Sequence, residues 1–201
     1  MRKVVLFMHN SLDGFCATAA GGLEWIPYDD ELMKFGEKVV KTVGSPLYGH
    51  VTYDMMKGYW SSVTADPSAS EHDKEHVRWM EDVQKVVFST TLKDPDWKNT
   101  KVISVNILEE VMALKGSPGK DLVIFGSPTL ALSLMKLGLI DEFRFTFSPV
   151  ILGEGKSFLR EAKDMAKLEL IESEVFKSGV VALRYKVKKI ELLPSSGRHR
   201  L

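Results

Sequence analysis

Apolar residues recur along this chain in distinct rhythms, and each rhythm predicts a kind of element. The run at 4–8 is short, rich in β-formers and closed by the turn formers Asn10, Asp13 and Gly14, which predicts a buried strand. Leu32, Phe35, Val39, Val40 and Val43 recur at helical spacing behind Asp29 and Asp30, either of which can serve as N-cap. Pro46-Leu47-Tyr48-Gly49 predicts a short strand, and a helix of about two turns should start near Thr52. Residues 61–70 are polar with Pro67 and several serines, a loop; residues 71–82 predict a largely solvated helix. Val86-Val87-Phe88 and residues 102–105 predict short strands. A helix at 108–115 is stopped by Ser117-Pro118-Gly119, and a continuous apolar strand at 122–125 precedes a helix marked by Leu130, Leu134 and Leu137.

Alternating strands and helices describe an α/β fold with three αβα layers around a mostly parallel sheet. The rhythm then changes. Phe143, Phe145 and Phe147 alternate with polar residues, and strands near 168–176 and 180–187 flank Ser178-Gly179, a hairpin turn. The central sheet is therefore predicted to be mixed, with antiparallel C-terminal strands. Neither a repeat nor a low-complexity linker interrupts the chain, so residues 1–190 are expected to form one domain and 191–201 a flexible tail. Val180, Val181, Leu183, Tyr185 and Val187 offer more apolar β-forming surface than one sheet edge normally exposes, which predicts a homodimer.

Composition narrows the function. The 201 residues are 44% hydrophobic and 27% charged, with 27 basic and 27 acidic side chains, so bulk charge points to neither a nucleic-acid nor a membrane partner. Cys16 is the single cysteine, which excludes an intrachain disulfide. The basic start and short apolar run at the N-terminus are broken by His9 and Asn10 too early for a signal-peptide core. A cytoplasmic protein is the expectation.

In open α/β sheets, ligands bind beyond the carboxyl ends of the strands. Three such ends carry phosphate-friendly residues here. Gly126-Ser127-Pro128 opens a helix directly after a strand: the glycine allows close backbone approach, Ser127 can cap and Pro128 suits the first turn. Free N–H groups there favour a phosphate. Gly49-His50-Val51-Thr52 makes a second such turn, with Thr52 also able to be only a cap, and Ser89-Thr90-Thr91 supplies hydroxyls at a third. No Walker loop and no complete G-x-G-x-x-G is present. His72-Asp73-Lys74-Glu75-His76 matches the inverted zinc-protease pattern, but its polar surroundings predict a solvated helix, and no metal site is expected. Cys16 lacks a basic neighbour and is not expected to be a nucleophile. Trp60, Trp79 and Trp97 read as core or loop anchors.

The ordered set of these segments resembles the dihydrofolate reductase superfamily, in particular the bacterial branch similar to the reductase domain of the bifunctional riboflavin biosynthesis protein (the RibD C-terminal domain). The resemblance rests on Ser11-Leu12-Asp13-Gly14-Phe15, Trp25, Tyr48-Gly49-His50-Val51-Thr52-Tyr53-Asp54 and Val87-Phe88-Ser89-Thr90-Thr91-Leu92. It continues through Leu122-Val123-Ile124-Phe125-Gly126-Ser127, Gly138-Leu139-Ile140-Asp141-Glu142 and Pro149-Val150-Ile151-Leu152-Gly153-Glu154-Gly155. It implies an NAD(P)H-dependent reductase transferring hydride to a pteridine-, pyrimidine- or similar heterocyclic substrate, with NADPH the expected cofactor and NADH possible.

By position, the resemblance implies that Gly126, Ser127 and Thr129 hold the pyrophosphate. Gly49, His50 and Thr52 would meet the phosphates from the neighbouring turn. Ser89, Thr90 and Thr91 would lie near the adenosine ribose and its 2′-phosphate, and the backbone at Cys16 and Ala17 would pair with the nicotinamide carboxamide. Trp25 would border a mobile loop over the nicotinamide, and Asp30 would be the first-helix carboxylate that assists protonation, unless it only caps the helix beside Asp29 and Glu31. This chain departs from its relatives in carrying His50 where they often have arginine, and in lacking an arginine near Thr90. Two other readings follow: a nucleotide-binding protein of the same fold without turnover, and a metal-binding or hydrolytic protein using His72 and His76.

Overall fold

A computed structural model describes residues 1–163 and 166–188, apart from the side chain of His72. The predicted tail at 191–201, and the last residues of the predicted domain, lie outside the described residues.

The chain runs β1 (Val4–Ser11), α1 (Asp30–Val40), β2 (Val43–Gly49), α2 (His50–Ala65), α3 (Glu71–Asp82), β3 (Lys85–Phe88), β4 (Thr100–Ile103), α4 (Ile107–Gly116), β5 (Asp121–Phe125), α5 (Pro128–Lys136), β6 (Glu142–Ser148), β7 (Leu168–Val175) and β8 (Val181–Val187). The strands form one eight-stranded sheet in the order β4-β3-β2-β5-β1-β6-β8-β7. All pairs from β4 to β6 are parallel, and β8 runs antiparallel to both β6 and β7. Helices cover both faces. Val4, Leu6 and Met8 pack with Val111 and Leu114 of α4 and with Leu130 and Leu134 of α5. Val5 and Phe7, from the alternate positions of β1, pack with Phe35 and Val39 of α1. A strand buried on both faces needs a continuous apolar run, and this is what residues 4–8 supply. The predicted αβα fold with a mixed sheet is the one observed. Among the described residues no helix is long and apolar enough to cross a membrane.

Three differences from the sequence reading stand out. β2 begins at Val43 rather than at Pro46, and α2 begins at His50 and continues to Ala65 instead of ending after about two turns. Residues 61–65 carry little apolar surface, but Trp60 packs this end of the helix: its ring stacks on His76 of α3 at 4.0 Å between centroids. The same contact occupies one ring of the zinc-like motif with an aromatic neighbour. The N-cap of α1 is Asp29, whose Oδ1 accepts from the Leu32 N–H at 2.8 Å. The third difference concerns the sheet edge. β8, expected to be exposed, lies between β6 and β7, with Val180 and Ala182 buried; the edge strand is β7, which exposes Leu170, Ile171 and Val175.

At the amino end of β6, Glu142 is 1% exposed and anchors the sheet electrostatically. Its Oε1 accepts from Arg144 Nε and Arg184 Nε, each at 2.7 Å, and its Oε2 from Arg184 Nη2 at 3.2 Å and Lys3 Nζ at 3.3 Å. These donors tie β1, β6 and β8 together. Burial alone would raise the carboxyl pKa, but hydrogen bonds and charge from Arg184 and Arg144 outweigh it and hold the group at about 2. A carboxyl depressed in the folded state stabilises above its unfolded pKa and loses that contribution as pH falls through the folded one. Glu142→Gln should therefore lose roughly 3 kcal/mol at pH 7, chiefly by leaving the buried Arg144 guanidinium without its carboxylate. The gap to the parent should narrow as the pH falls from about 4.5 toward 2, and urea denaturation at several pH values checks both.

Candidate functional site

The carboxyl ends of the parallel strands open onto one cleft of about 760 Å³. Each turn expected to touch a dinucleotide reaches it: Cys16 and Ala17 after β1, Gly49, His50 and Thr52 at the β2–α2 turn, Ser89, Thr90 and Thr91 after β3, and Gly126, Ser127 and Thr129 at the β5–α5 turn.

The β5–α5 turn is built for close approach. Gly126 and Ser127 both adopt left-handed backbone, with φ of +58° and +51°, before Pro128 starts α5. A Cβ built on Gly126 would meet no protein atom within 4 Å, so the glycine leaves free space at its surface. Ser127 stands at the N-cap position but does not cap; its Oγ accepts from the Gly49 N–H at 3.0 Å. That bond ties the β5–α5 turn to the β2–α2 turn. Gly49 is itself the N-cap of α2, and Thr52 lies inside the first helical turn rather than capping it.

At the third turn, Ser89 Oγ accepts from the N–H groups of Thr91 at 3.1 Å and Leu92 at 3.0 Å, which folds 89–92 into a tight hydroxyl-lined bend. His50 leans on it: Nδ1 lies 3.0 Å from Thr91 Oγ1 and 3.3 Å from Ser89 Oγ, while Nε2 lies 3.4 Å from Asp54 Oδ2 one helical turn on. The side chain is thus oriented from both ring nitrogens.

Behind β1 the chain is latched rather than loose. Asp13 accepts from Ser11 Oγ at 2.7 Å and from the N–H groups of Leu152 at 3.1 Å and Gly153 at 2.9 Å. The Ser11 hydroxyl above all, then these backbone donors, hold the carboxyl down at about 2. This fastens the β6–β7 connection over the end of β1. Gly155 completes the latch, because a Cβ there would sit 2.2 Å from the Ala17 carbonyl oxygen. The Cys16 N–H donates to Lys156 O at 2.7 Å and the Ala17 carbonyl accepts from Lys156 N at 2.9 Å, which leaves the C=O and N–H of the Cys16–Ala17 peptide without a partner among the described residues. Burial pushes the Cys16 thiol pKa up, in keeping with an unreactive cysteine.

The two residues expected to serve the chemistry are not brought into this cleft. With Asp29 as the cap, Asp30 is the first residue of α1 and exposed, while Leu32 is buried. Residues two apart on a helix point about 200° apart, so burying Leu32 turns Asp30 to solvent. Trp25 is half-buried, donates Nε1–H to the Gly22 carbonyl at 3.3 Å and packs in the cluster of Ile26, Leu32 and Phe176. Among the described residues, no carboxylate lines the cleft.

Several lining residues were not read from the sequence: His9, Tyr28, Met55, Met56 and Lys156. His9 had a signal, since it follows Phe7 by two positions on the same face of β1. Lys156 had none, because only its antiparallel bridge to Ala17 brings it here. Among the described residues no cluster of three or more histidine, cysteine or carboxylate side chains is arranged to hold a metal ion.

Comparison with known proteins agrees with this architecture. The family model described as the RibD C-terminal domain matches residues 2–182. An uncharacterized protein of Bacillus subtilis (strain 168), YyaP, is 34% identical over 184 residues, covering 92% of this chain and 94% of its own. A putative riboflavin biosynthesis protein from Shewanella sp. PV-4 superposes with a TM-score of 0.74 at 21% identity, over 93% of this chain and 99% of that one. A dihydrofolate reductase from Enterococcus faecalis, complexed with NADP(H) and RAB-propyl, superposes with a TM-score of 0.59 at 14% identity, over 93% and 97% of the two chains.

Proposed function

This chain belongs to the RibD C-terminal domain family, and from that premise we propose that it is a reductase that holds NADPH in the cleft and reduces a small heterocyclic substrate of the pteridine or pyrimidine kind. One observation carries the reading: four separate turns bring backbone N–H groups and hydroxyls to a single cleft that no carboxylate lines among the described residues. A polyanionic ligand meets donors there, with the Asp54 carboxylate held behind His50 rather than lining the cleft. The dinucleotide fits the donor set. Gly126 and Ser127 bare their backbone to the pyrophosphate ahead of the positive end of α5. The Ser89–Thr91 bend serves the adenosine side, His50 the phosphates, and the Cys16–Ala17 peptide the carboxamide. Bound NADPH supplies the hydride; the protein orients both ligands and excludes water.

The absence of Asp30 and Trp25 from the cleft favours a second reading, in which the chain binds the nucleotide without turnover. A fluorescence titration with NADPH, followed by a cofactor-oxidation assay with dihydrofolate and a panel of oxidised pyrimidines, separates the two. On the first reading NADPH binds and is oxidised; binding without oxidation selects the second. Gly126→Val should abolish most NADPH binding while the far-ultraviolet dichroism stays that of the parent, and parent-like affinity in that variant would reject the phosphate assignment.

His50 makes a distinctive contribution to this reading. A hydrogen bond to a charged group contributes roughly 1.5–3 kcal/mol, so His50→Ala should weaken NADPH binding about tenfold. His50→Arg, which keeps a donor at the same place, should recover most of the loss. The groups facing the ring are Thr91, Ser89 and Asp54, so the affinity is to be measured in Asp54→Asn as well. Equal NADPH affinity in the parent and His50→Ala would reduce His50 to a lining residue.

The same reading includes a homodimer, now through the β7 edge with its exposed Leu170, Ile171 and Val175. Light scattering at micromolar concentration should give twice the mass of one chain; a single-chain mass would refute it.

A further inference from the structure

His9 occupies the carboxyl end of β1, and its ring lines the cleft at the strand that also leads into Cys16 and Ala17. Its Nδ1 lies 2.6 Å from Oγ1 of Thr146, its register partner on β6. Thr146 is fully buried, and its hydroxyl has no other partner among the described residues. A buried hydroxyl proton needs an acceptor. Were Nδ1 the donor, the threonine proton would be stranded, so the hydroxyl donates to Nδ1 and the ring carries its own proton on Nε2. The plane of the ring is fixed as well: Phe7 meets it edge-on at 5.0 Å between centroids, and Tyr28 meets it edge-on at 5.7 Å from the opposite side of the sequence. Nε2 has no protein partner among the described residues.

Resting on the reductase reading above, we propose that His9 is the substrate-orienting donor of this cleft, presenting Nε2–H to a ring carbonyl oxygen or an unprotonated ring nitrogen of the heterocycle. The assignment also narrows the substrate. A site whose donor is a neutral imidazole, and which among the described residues has no carboxylate, recognises an uncharged acceptor-bearing ring and has nothing to pair with a protonated amino-heterocycle. Burial pushes the His9 pKa down to about 4, so the ring stays neutral through the ordinary pH range and acts as a fixed donor. The other titratable groups lining the cleft are Cys16, Tyr28, His50 and Lys156, none of them an anion that would hold His9 charged at neutral pH.

Two measurements on the full chain test the proposal. The first is the tautomer of His9 in ¹⁵N-labelled protein without ligand, read from two-bond ¹H–¹⁵N couplings at pH 7. Nε2–H is expected, and Thr146→Val should release the ring into a mixture of tautomers. A ring held as Nδ1–H overturns the assignment. The second is the affinity for lumazine, an uncharged pteridinedione, at pH 6.5 with saturating NADP⁺, by fluorescence quenching. His9→Ala should weaken lumazine about five- to tenfold, and His9→Gln, which keeps a donor, should recover most of the loss. NADPH affinity should stay within about twofold of the parent in both variants, since a deleted contact that the cofactor does not make leaves it unchanged. Equal lumazine affinity in the parent and His9→Ala overturns the proposal, as does a parent that binds NADPH but not lumazine at millimolar concentration. A parent that does not bind NADPH sinks the reductase reading instead, so the two failures are distinguishable.

Discussion

The molecule depends on β1 being hydrogen-bonded on both sides by parallel neighbours, β5 through Val4–Phe7 and β6 through Val5–Ser11. Parallel strands cannot be joined by tight hairpins, so every connection from β1 to β6 is a crossover and every carboxyl end opens the same way. The cleft is the consequence. Turns far apart in sequence, at 16–17, 49–52, 89–91 and 126–129, meet because their strands do. The same pairing sets which face each side chain takes. A slip of one residue in β1 would carry Phe7 and His9 to the face now held by Leu6 and Met8. It would also separate His9 from Thr146, on which the orientation of the ring rests.

Charge is distributed to suit this layout. The depressed carboxylates lie away from the cleft and act as struts: Glu142 gathers Arg144, Arg184 and Lys3 at the amino end of β6, and Asp13 fastens the loop at Leu152 and Gly153 over the end of β1. A carboxylate buried as Glu142 is costs desolvation that only well-placed donors offset, and it stands where β6 and β8 pair. The cleft is different in character. Its polar atoms are hydroxyls, backbone N–H groups and imidazoles, and several of them are organised by each other, as when Ser127 takes the Gly49 N–H or Ser89 closes its own bend. Donors fixed in this way before a ligand arrives lose little freedom when it binds.

The departures from the expected pattern share a physical origin. Asp30 and Trp25 were expected to serve chemistry from their place in the sequence, but α1 is phased by the burial of Leu32 and capped by Asp29, and that phase sends Asp30 to solvent. The polar group at that end of the cleft comes instead from the central strand, as His9. A carboxylate would have been conditional on a charged partner; a neutral imidazole locked by a threonine needs none.

How much was legible follows from how local each signal is. The buried strand at 4–8, the Gly126-Ser127-Pro128 turn and the Ser89-Thr90-Thr91 bend are written in contiguous residues, because solvent exclusion and backbone conformation select residue types position by position. From these and the Gly49–Thr52 turn the αβα layering and three of the turns at the cleft could be read; the fourth, at Cys16 and Ala17, came only through the resemblance. The sequence also contained the Ser11–Asp13 motif, though not its use as a latch. The length of α2 could not be read, since Ser61-Ser62-Val63-Thr64-Ala65 carries little apolar surface and the stacking of Trp60 on His76 is a tertiary contact. Nor could the identity of the edge strand, because β7 and β8 are both short runs that mix apolar and charged residues, and only the antiparallel pairing of β8 with β6 makes it interior. Lys156 reaches the cleft through a single bridge to Ala17, and His9 acquires a defined donor atom through a threonine more than a hundred residues away. Local sequence determined the elements and the chemistry of the turns between them; only long-range packing decided which side chains share the cleft and which nitrogen faces into it, because those follow from register and burial across the sheet.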